Sequence, residues 1–301
     1  MTAAGLVNNP VFRRLSLLSP ALVFMGVFLL MPIGLMAYVS FLERGEYGGV
    51  VWGAHTAEAY VNFILERDLD GSLIANTDYL QIFARSVGLA AVTWFLTIVV
   101  GFPTALYMAL QPERIRNLLI FLVTIPFWTN LLVRNYAWIL LLRNNGLIDA
   151  TLADLGLTSQ PMSILYTPFA IGIGLTYSFL PFMVLPIYAS LEKVDFRLVE
   201  AAFDLGANHF KALVRVIIPL ALPGIVAGSI LVLIPSLGAY VTPELLGGSK
   251  SMMIGNLIQS QFGAARNWPF GAALAFVLLA LVLLSMMVYS MRFKRGPEPG
   301  S

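Results

Sequence analysis

Six long runs of the sequence contain almost no Asp, Glu, Lys or Arg, and each run is long enough to cross a lipid bilayer as a helix. A transmembrane helix needs about 20 apolar residues, because only a helix or a closed barrel satisfies its backbone hydrogen bonds without water. The runs predict spans near residues 15–42, 86–110, 117–142, 167–191, 216–243 and 267–291. The predicted fold is therefore all-α, a polytopic membrane protein with about six transmembrane helices.

The composition of the chain excludes most other classes of protein. Of 301 residues, 58% are hydrophobic and only 11% are charged, whereas a soluble domain carries about 25% charged residues. The formal net charge of +2 provides no basic surface for a nucleic-acid backbone. The absence of Cys excludes disulfides, Cys-based zinc sites and thiol catalysis. We therefore predict neither a soluble enzyme nor a nucleic-acid-binding protein. We predict an integral membrane protein that is in contact with membrane lipid.

Basic residues in the loops predict the orientation of the spans, because cytoplasmic loops carry the excess of Lys and Arg. Eleven of the 18 basic residues lie on the face that holds both termini and the 192–215 segment, and seven lie on the opposite face. We therefore predict that residues 1–14, the 192–215 segment and the tail 292–301 are cytoplasmic.

Two outer loops are long enough to contain structure of their own. The segment 43–78 carries seven acidic residues, and its apolar piece 59–65 predicts a short surface helix. The segment 143–166 begins with Asn-Asn-Gly at 144–146, which is typical of a turn, and continues with a helical pattern that ends near Gly156.

The sequence lacks the residues that an energy-coupling or catalytic site would need. No Gly-Lys dipeptide occurs, so a P-loop for ATP is excluded. The histidines, His55 and His209, lie outside the spans, and no predicted span contains Asp or Glu. Ion-coupled transporters usually keep such residues at membrane depth. We predict no catalytic residue, metal site or cofactor in this chain, and an energy source in a partner. A stand-alone secondary transporter or channel stays an alternative, since backbone carbonyls can also coordinate sodium. An intramembrane enzyme is the other rival, which a catalytic pair at membrane depth would favour.

The strongest local signal lies in the 192–215 segment and the residues that follow it. The chain reads Glu200-Ala201-Ala202, three residues, Gly206, nine residues, and Val216-Ile217-Ile218-Pro219. Gly206 predicts a break between two short helices. An apolar face at helical spacing precedes it, formed by Leu198, Ala201, Ala202 and Leu205. Its small residues would let another protein approach closely, although a helix lying on the membrane surface explains the same pattern.

This pattern resembles the hallmark of permease subunits of type I ABC importers, which is Glu-Ala-Ala, three residues, Gly, nine residues and Ile-x-Leu-Pro. The matching residues are Glu200, Ala201, Ala202, Gly206 and Pro219. Val216 and Ile218 depart from it but remain branched aliphatic residues. In that family the motif forms a coupling helix that sits in a cleft of the ATPase subunit. The resemblance implies a non-enzymatic permease of the bacterial inner membrane, powered by two partner ATPase subunits that bind ATP-Mg.

Other segments resemble the spermidine/putrescine permeases more narrowly. They include Ile-Pro-Phe-Trp-Thr-Asn at 125–130, Leu-Pro-Phe-Met-Val-Leu-Pro at 180–186 and Asn-Trp-Pro-Phe-Gly at 267–271. The likeness extends from about residue 82 to about residue 280. It implies alternating access to a path shared with a second, different permease, and an extracytoplasmic binding protein that delivers polyamine. A related importer of thiamine, an iron complex or an anion is the alternative.

Aromatic and acidic residues near the outer ends of the spans are candidate substrate contacts, because a polyamine is a flexible polycation with an apolar stem. The candidates are Trp128, Tyr136, Tyr177, Tyr240 and Glu244. Each aromatic residue alone is also explained by packing or by the interfacial belt, and Glu244 by a solvated loop. Arg134, inside the third run, does not suit a cation path. It either snorkels to the surface or favours an anionic substrate.

Overall fold

The computed structural model describes residues 10–67, 73–156 and 162–293. This part of the chain contains five helices long and apolar enough to cross a membrane, and a bent helix pair that makes a sixth span if counted as one. The prediction of an all-α polytopic membrane protein with about six spans is confirmed. The chain divides into two compact units, residues 1–76 with 258–301, and residues 77–257.

The first unit holds the first and last spans. Helix α1 (Pro10–Ser40) packs against the last helix of the chain, Trp268–Phe293. Large apolar side chains of α1, such as Phe24 and Phe28, are more than half exposed, as expected for a helix that faces lipid. The helix ends at Ser40, before the predicted limit of residue 42, because Leu42 already belongs to a strand.

The long loop that follows α1 in the first unit is built mainly from two hairpins. Strand β1 (Leu42–Arg44) pairs antiparallel with β2 (Val50–His55), and β3 (Leu65–Arg67) with β4 (Leu73–Ala75). Between the hairpins, α2 (Glu58–Val61) is a single helical turn. The predicted surface helix at 59–65 is therefore wrong in extent, because its C-terminal end begins a strand.

The second unit contains the remaining spans and all of the candidate functional residues. Its helices are α3 (Asp78–Ala109), α4 (Glu113–Trp128), α5 (Leu131–Leu142), α6 (Leu147–Asp154), α7 (Pro168–Leu191), α8 (Arg197–Asp204), α9 (His209–Ala212), α10 (Ile218–Leu237) and the start of α11 (Ile254–Phe262). The last helix of the chain is α12. In the second unit, α7 is central and packs against α3 and α10. Buried residues of all three helices, including Met108, Met183 and Ala221, form one core.

Two glycines allow α10 to pack closely against α7. A Cβ atom on Gly224 would overlap the carbonyl oxygen of Pro186, and one on Gly228 would lie 2.8 Å from the sulfur of Met183. Glycines four residues apart are typical of transmembrane helix pairs, because van der Waals packing rather than hydrophobic burial drives helix association in lipid. Nearby, Trp94 Nε1 donates a 2.7 Å hydrogen bond to Ser229 Oγ and so links α3 to α10.

The third predicted span, 117–142, is not one continuous helix. The segments Glu113–Trp128 and Leu131–Asp154 meet at 91°. Thr129 and Asn130 at the break have extended backbone, and the Asn130 side chain caps α5 by accepting from Leu132 N. The uncharged run shows that the segment is apolar throughout, but it does not show where the backbone turns.

The fifth predicted span, 216–243, is displaced toward the N-terminus. One helix runs from His209 to Leu237, and residues 238–243 of the predicted span lie beyond its end. The charged residues Lys211 and Arg215 ended the uncharged run but did not end the helix. Helix α3 likewise begins at Asp78, ahead of the predicted residue 86, because Arg85 ended the uncharged run but did not end the helix.

Candidate functional site

The 192–215 segment forms two helices separated at Gly206, as the sequence predicts. Helix α8 ends with hydrogen bonds from Gly206 N to Phe203 O and from Ala207 N to Ala202 O, both 2.9 Å. With Gly206 at φ +79°, these two bonds define a Schellman motif. Glycine suits this position because a side chain disfavours left-handed backbone.

The second helix starts from a defined cap immediately after the break. The Asn208 side chain accepts a 2.8 Å hydrogen bond from Lys211 N. The rings of Phe203 and His209 meet edge to face with their centres 5.0 Å apart, across the break. These contacts connect the two helices across the break.

One side of α8 is anchored and the other is open. Val199 packs against the core of the spans. On the predicted apolar face, Leu198 and Leu205 are 52% and 89% exposed, Ala201 is exposed and Ala202 is half-buried. Glu200 is also exposed and lies in the first helical turn, where the helix dipole favours an acid.

Pro219, the last residue of the motif, lies in the first turn of α10 and shapes the start of that helix. A proline has no N–H for the carbonyl of Arg215, four residues earlier. The backbone before it widens into a π-helical turn, Leu213–Ile217, in which Ile218 N bonds to Leu213 O. Helices α9 and α10 thus remain one continuous helix despite the proline.

At the other end of α10, Tyr240 and Glu244 lie together and share a buried partner. Glu244 N donates to Tyr240 O at 2.9 Å. Asn256 Nδ2 donates at 2.8 Å both to Tyr240 O and to Glu244 Oε2. Tyr240 and Glu244 are exposed, whereas Asn256 is 3% exposed. The sequence analysis missed Asn256, because an uncharged polar residue between two spans gives no signal by itself.

Close packing fixes the backbone around this cluster. A Cβ atom on Gly255 would lie 2.5 Å from Ala239 O. A Cβ atom on Gly174 of α7 would likewise overlap the side chains of Thr242 and Leu246. Ser86 of α3, fully buried, accepts a 2.8 Å hydrogen bond from Ile254 N. The Glu244 carboxylate is therefore exposed on a rigid support.

Tyr177 belongs to a different cluster, around Arg134 and the break in the third span. Arg134 Nη1 donates to Pro126 O at 3.1 Å, and Thr129 Oγ1 donates to the same oxygen at 2.7 Å. The guanidinium carbon lies 5.9 Å from the Tyr177 ring centre, and that ring meets Trp138 edge to face at 5.6 Å. These contacts give Arg134 a structural role, because a cation stabilises the carbonyls at the C-terminal end of a helix.

The five candidate substrate contacts thus occupy different surroundings. Tyr240 and Glu244 share the Asn256 cluster. Tyr177 has a ring face next to Arg134, which makes that face less available to a substrate cation. Trp128, at the end of α4, is 84% exposed, and Tyr136 on α5 is 57% exposed.

Comparison with known proteins places this architecture in a family. Residues 101–295 match the family model of the binding-protein-dependent transport system inner membrane component. The spermidine/putrescine transport system permease protein PotB of Haemophilus influenzae is 40% identical over 286 residues, which cover 94% of this chain and 94% of that protein. PotB of Escherichia coli is 43% identical over 211 residues, covering 70% of this chain and 77% of that protein. The inner membrane ABC transporter permease protein YdcU of Escherichia coli is 31% identical over 277 residues, 87% of each chain.

A solved structure shares the fold at lower sequence identity. It is a chain of the bacterial alginate ABC transporter in complex with an alginate pentasaccharide-bound periplasmic protein, with a TM-score of 0.68 and 15% identity. The alignment covers 94% of this chain and 95% of that chain. The resemblance to ABC importer permeases that begins with the Glu200–Pro219 pattern is confirmed. This multi-pass chain therefore belongs to the family of inner-membrane permease components of binding-protein-dependent ABC transport systems.

Proposed function

We propose that this chain is a permease subunit of an ATP-driven polyamine importer. The observation that carries the proposal is 40% identity, over 94% of both chains, to a permease named for spermidine and putrescine. The chain would form the translocation path with a second, different permease and receive substrate from an extracytoplasmic binding protein. Alternating access of the path would then move the polyamine inward.

The geometry of the Tyr240–Glu244 cluster supports a cationic substrate. An exposed carboxylate and an exposed aromatic ring lie one helical turn apart at the end of α10, and such groups bind ammonium ions through charge and cation–π contacts. Arg134, which favoured an anionic substrate, instead has partners within the protein. The anion, thiamine and iron-complex alternatives thereby lose their main support, and family membership disfavours a stand-alone transporter or channel.

The open face of α8 supports coupling to an ATPase subunit. In this proposal ATP-Mg binds to two partner ATPase subunits, and Glu200, Ala201, Ala202 and Gly206 form the docking helix, with Pro219 at the start of the span that follows. The opposite side of the helix is anchored to the core through Val199. A displacement of α8 by the ATPase would therefore be transmitted to the spans.

Labelling of a single introduced cysteine tests the orientation. We expect Lys211→Cys to react only with a reagent that crosses the membrane, because the 192–215 segment is proposed to be cytoplasmic. The chain has no native Cys, so no background substitution is needed. As the matched control, Tyr47→Cys, in the outer hairpin and 90% exposed in the wild type, should react with an impermeant reagent. Reversed labelling of the two variants would invert the topology.

Transport measurements test the substrate contacts. We expect Glu244→Gln and Tyr240→Ala each to reduce spermidine uptake severalfold, since a cation–π contact contributes about 0.5–2 kcal/mol. Tyr47→Ala removes another exposed tyrosine and should leave uptake at the wild-type value. Unchanged uptake in the Glu244→Gln, Tyr240→Ala double variant would remove both residues from the path.

A further inference from the structure

We infer that Asn256 is a positioning residue for the substrate cation, and that it acts by orienting the Glu244 carboxylate. Its amide binds one carboxylate oxygen, Oε2, at 2.8 Å, and leaves the other oxygen for an ammonium group of the substrate. The inference rests on the proposed function, because it requires a cation to approach Glu244.

Three contacts fix the orientation of the Asn256 amide. Its nitrogen donates to Tyr240 O and Glu244 Oε2, both at 2.8 Å, and its oxygen accepts from Met253 N at 3.3 Å. A flipped amide would place its oxygen against two acceptors and its nitrogen against a donor. An amide nitrogen has only two N–H groups, and both are used. Asn256 therefore has no donor left for the substrate and acts through Glu244.

The support of Asn256 is rigid, whereas the group it orients is exposed. Asn256 is 3% exposed, and the preceding Gly255 lies against the backbone of Ala239. Ile254 N is held by the buried hydroxyl of Ser86 on α3. A binding group holds its geometry when the residues behind it are locked by packing and hydrogen bonds.

The choice of an amide preserves the charge of the site. A Lys or Arg in place of Asn256 would orient the carboxylate but would also neutralise it. Among the side chains that the structure describes, no basic group lies within ion-pair distance of Glu244. The hydrogen bond from Asn256 fixes the direction of the carboxylate and leaves its negative charge for a cation.

The test uses the reconstituted complex of both permeases and the ATPase subunits, stimulated by spermidine-loaded binding protein. We expect Asn256→Ala to raise the half-maximal concentration of loaded binding protein about tenfold or more, as for loss of one hydrogen bond to a charged group, with a smaller change in the maximal ATPase rate. Asn135→Ala is the matched control, because Asn135 is an equally buried amide that donates to Leu131 O and, within the described residues, has no hydrogen bond to a carboxylate. It should behave like the wild type.

Asn256→Asp separates the positioning role from two simpler explanations. Asp keeps an oxygen for Met253 N but presents a second acceptor to Glu244 and Tyr240. A residue that acted only by capping Met253 N would survive this change, and simple attraction of a polycation by added negative charge would improve the response. We expect instead a loss at least as large as in Asn256→Ala. A wild-type or improved response of Asn256→Asp would overturn the inference.

A double-variant cycle shows whether Asn256 acts through Glu244. We expect the Glu244→Gln, Asn256→Ala double variant to be no worse than Glu244→Gln alone, because coupled residues are not additive. The same fold loss from Asn256→Ala in both backgrounds would overturn the positioning role and leave the proposed function intact. No effect of Glu244→Gln on its own would overturn the substrate-path assignment and this inference together.

Discussion

Replacing Gly224 by Ala is expected to prevent most of the permease from folding in the membrane. The added Cβ would overlap the Pro186 carbonyl oxygen and approach Ile187 Cα within 2.8 Å, and neither backbone atom can move away alone. Overpacking a core costs typically about 1–3 kcal/mol of stability. The cost of an overlap with backbone atoms should lie at or above the upper end of this range. The measurement is the yield and melting temperature of the monodisperse protein in detergent.

A graded series of glycine variants separates this effect from a general intolerance of substitution. Gly228→Ala should be milder, because its nearest neighbour is the flexible end of Met183. Gly88→Ala, in α3 with nothing within 4 Å of the added Cβ, should be neutral or slightly stabilising, since Ala favours a helix over Gly by about 1 kcal/mol. Equal melting temperatures for all three variants would contradict the close α7–α10 contact.

Features that depend on local backbone chemistry were predictable from the sequence. Gly206 was expected to break a helix, and it does so in left-handed backbone. The Asn-Asn-Gly turn at 144–146 was expected before a short helix, and Asn145 indeed has φ +57° ahead of α6. In both cases the residue type itself limits the backbone to a few conformations.

Features that depend on long-range contacts were not predictable from the pattern of charged residues. The break at Thr129 is stabilised by Arg134, whose role emerges only when Pro126 and Tyr177 are placed beside it. The roles of the Asn256 amide and the Ser86 hydroxyl depend on hydrogen-bond partners 12 or more residues away in the sequence. Apolar runs therefore locate the spans, but they do not show where a span bends or which polar group supports another.

The proposed ATPase contact on α8 and the Tyr240–Glu244 cluster lie at opposite ends of one helix, and this helix connects them. Helix α9, the π-helical turn and α10 form one continuous helix from His209, next to α8 in the chain, to Leu237, just before Tyr240 and Glu244. Its glycines hold it tightly against α7 along the way. A rigid element of this kind would carry a displacement at the proposed ATPase contact to the proposed substrate contact without any intermediate side-chain relay.

Placing bulk on the open face of α8 is expected to abolish ATP-driven uptake while leaving the permease folded. Ala201 is exposed, so Ala201→Trp should affect a docked ATPase subunit more than its own chain. A misfit of about 1–3 kcal/mol would lower subunit affinity about tenfold or more. Gly206→Val should act similarly, because a side chain in the left-handed C-terminal cap costs about 1–2 kcal/mol of conformational strain. Copurification of the ATPase subunit and spermidine uptake measure both effects.

Two control variants at the opposite end of the second unit make this prediction specific. Gly156 also follows a short helix in left-handed backbone, with φ +68° and nothing within 4 Å of an added Cβ, and Ala150 is an exposed alanine of α6. Gly156→Val and Ala150→Trp should therefore reproduce the local strain and the added bulk but keep the ATPase bound. A helix that merely rests on lipid would tolerate Ala201→Trp, since Trp favours the membrane interface. Normal copurification and uptake in that variant would show that α8 does not couple the permease to ATP hydrolysis.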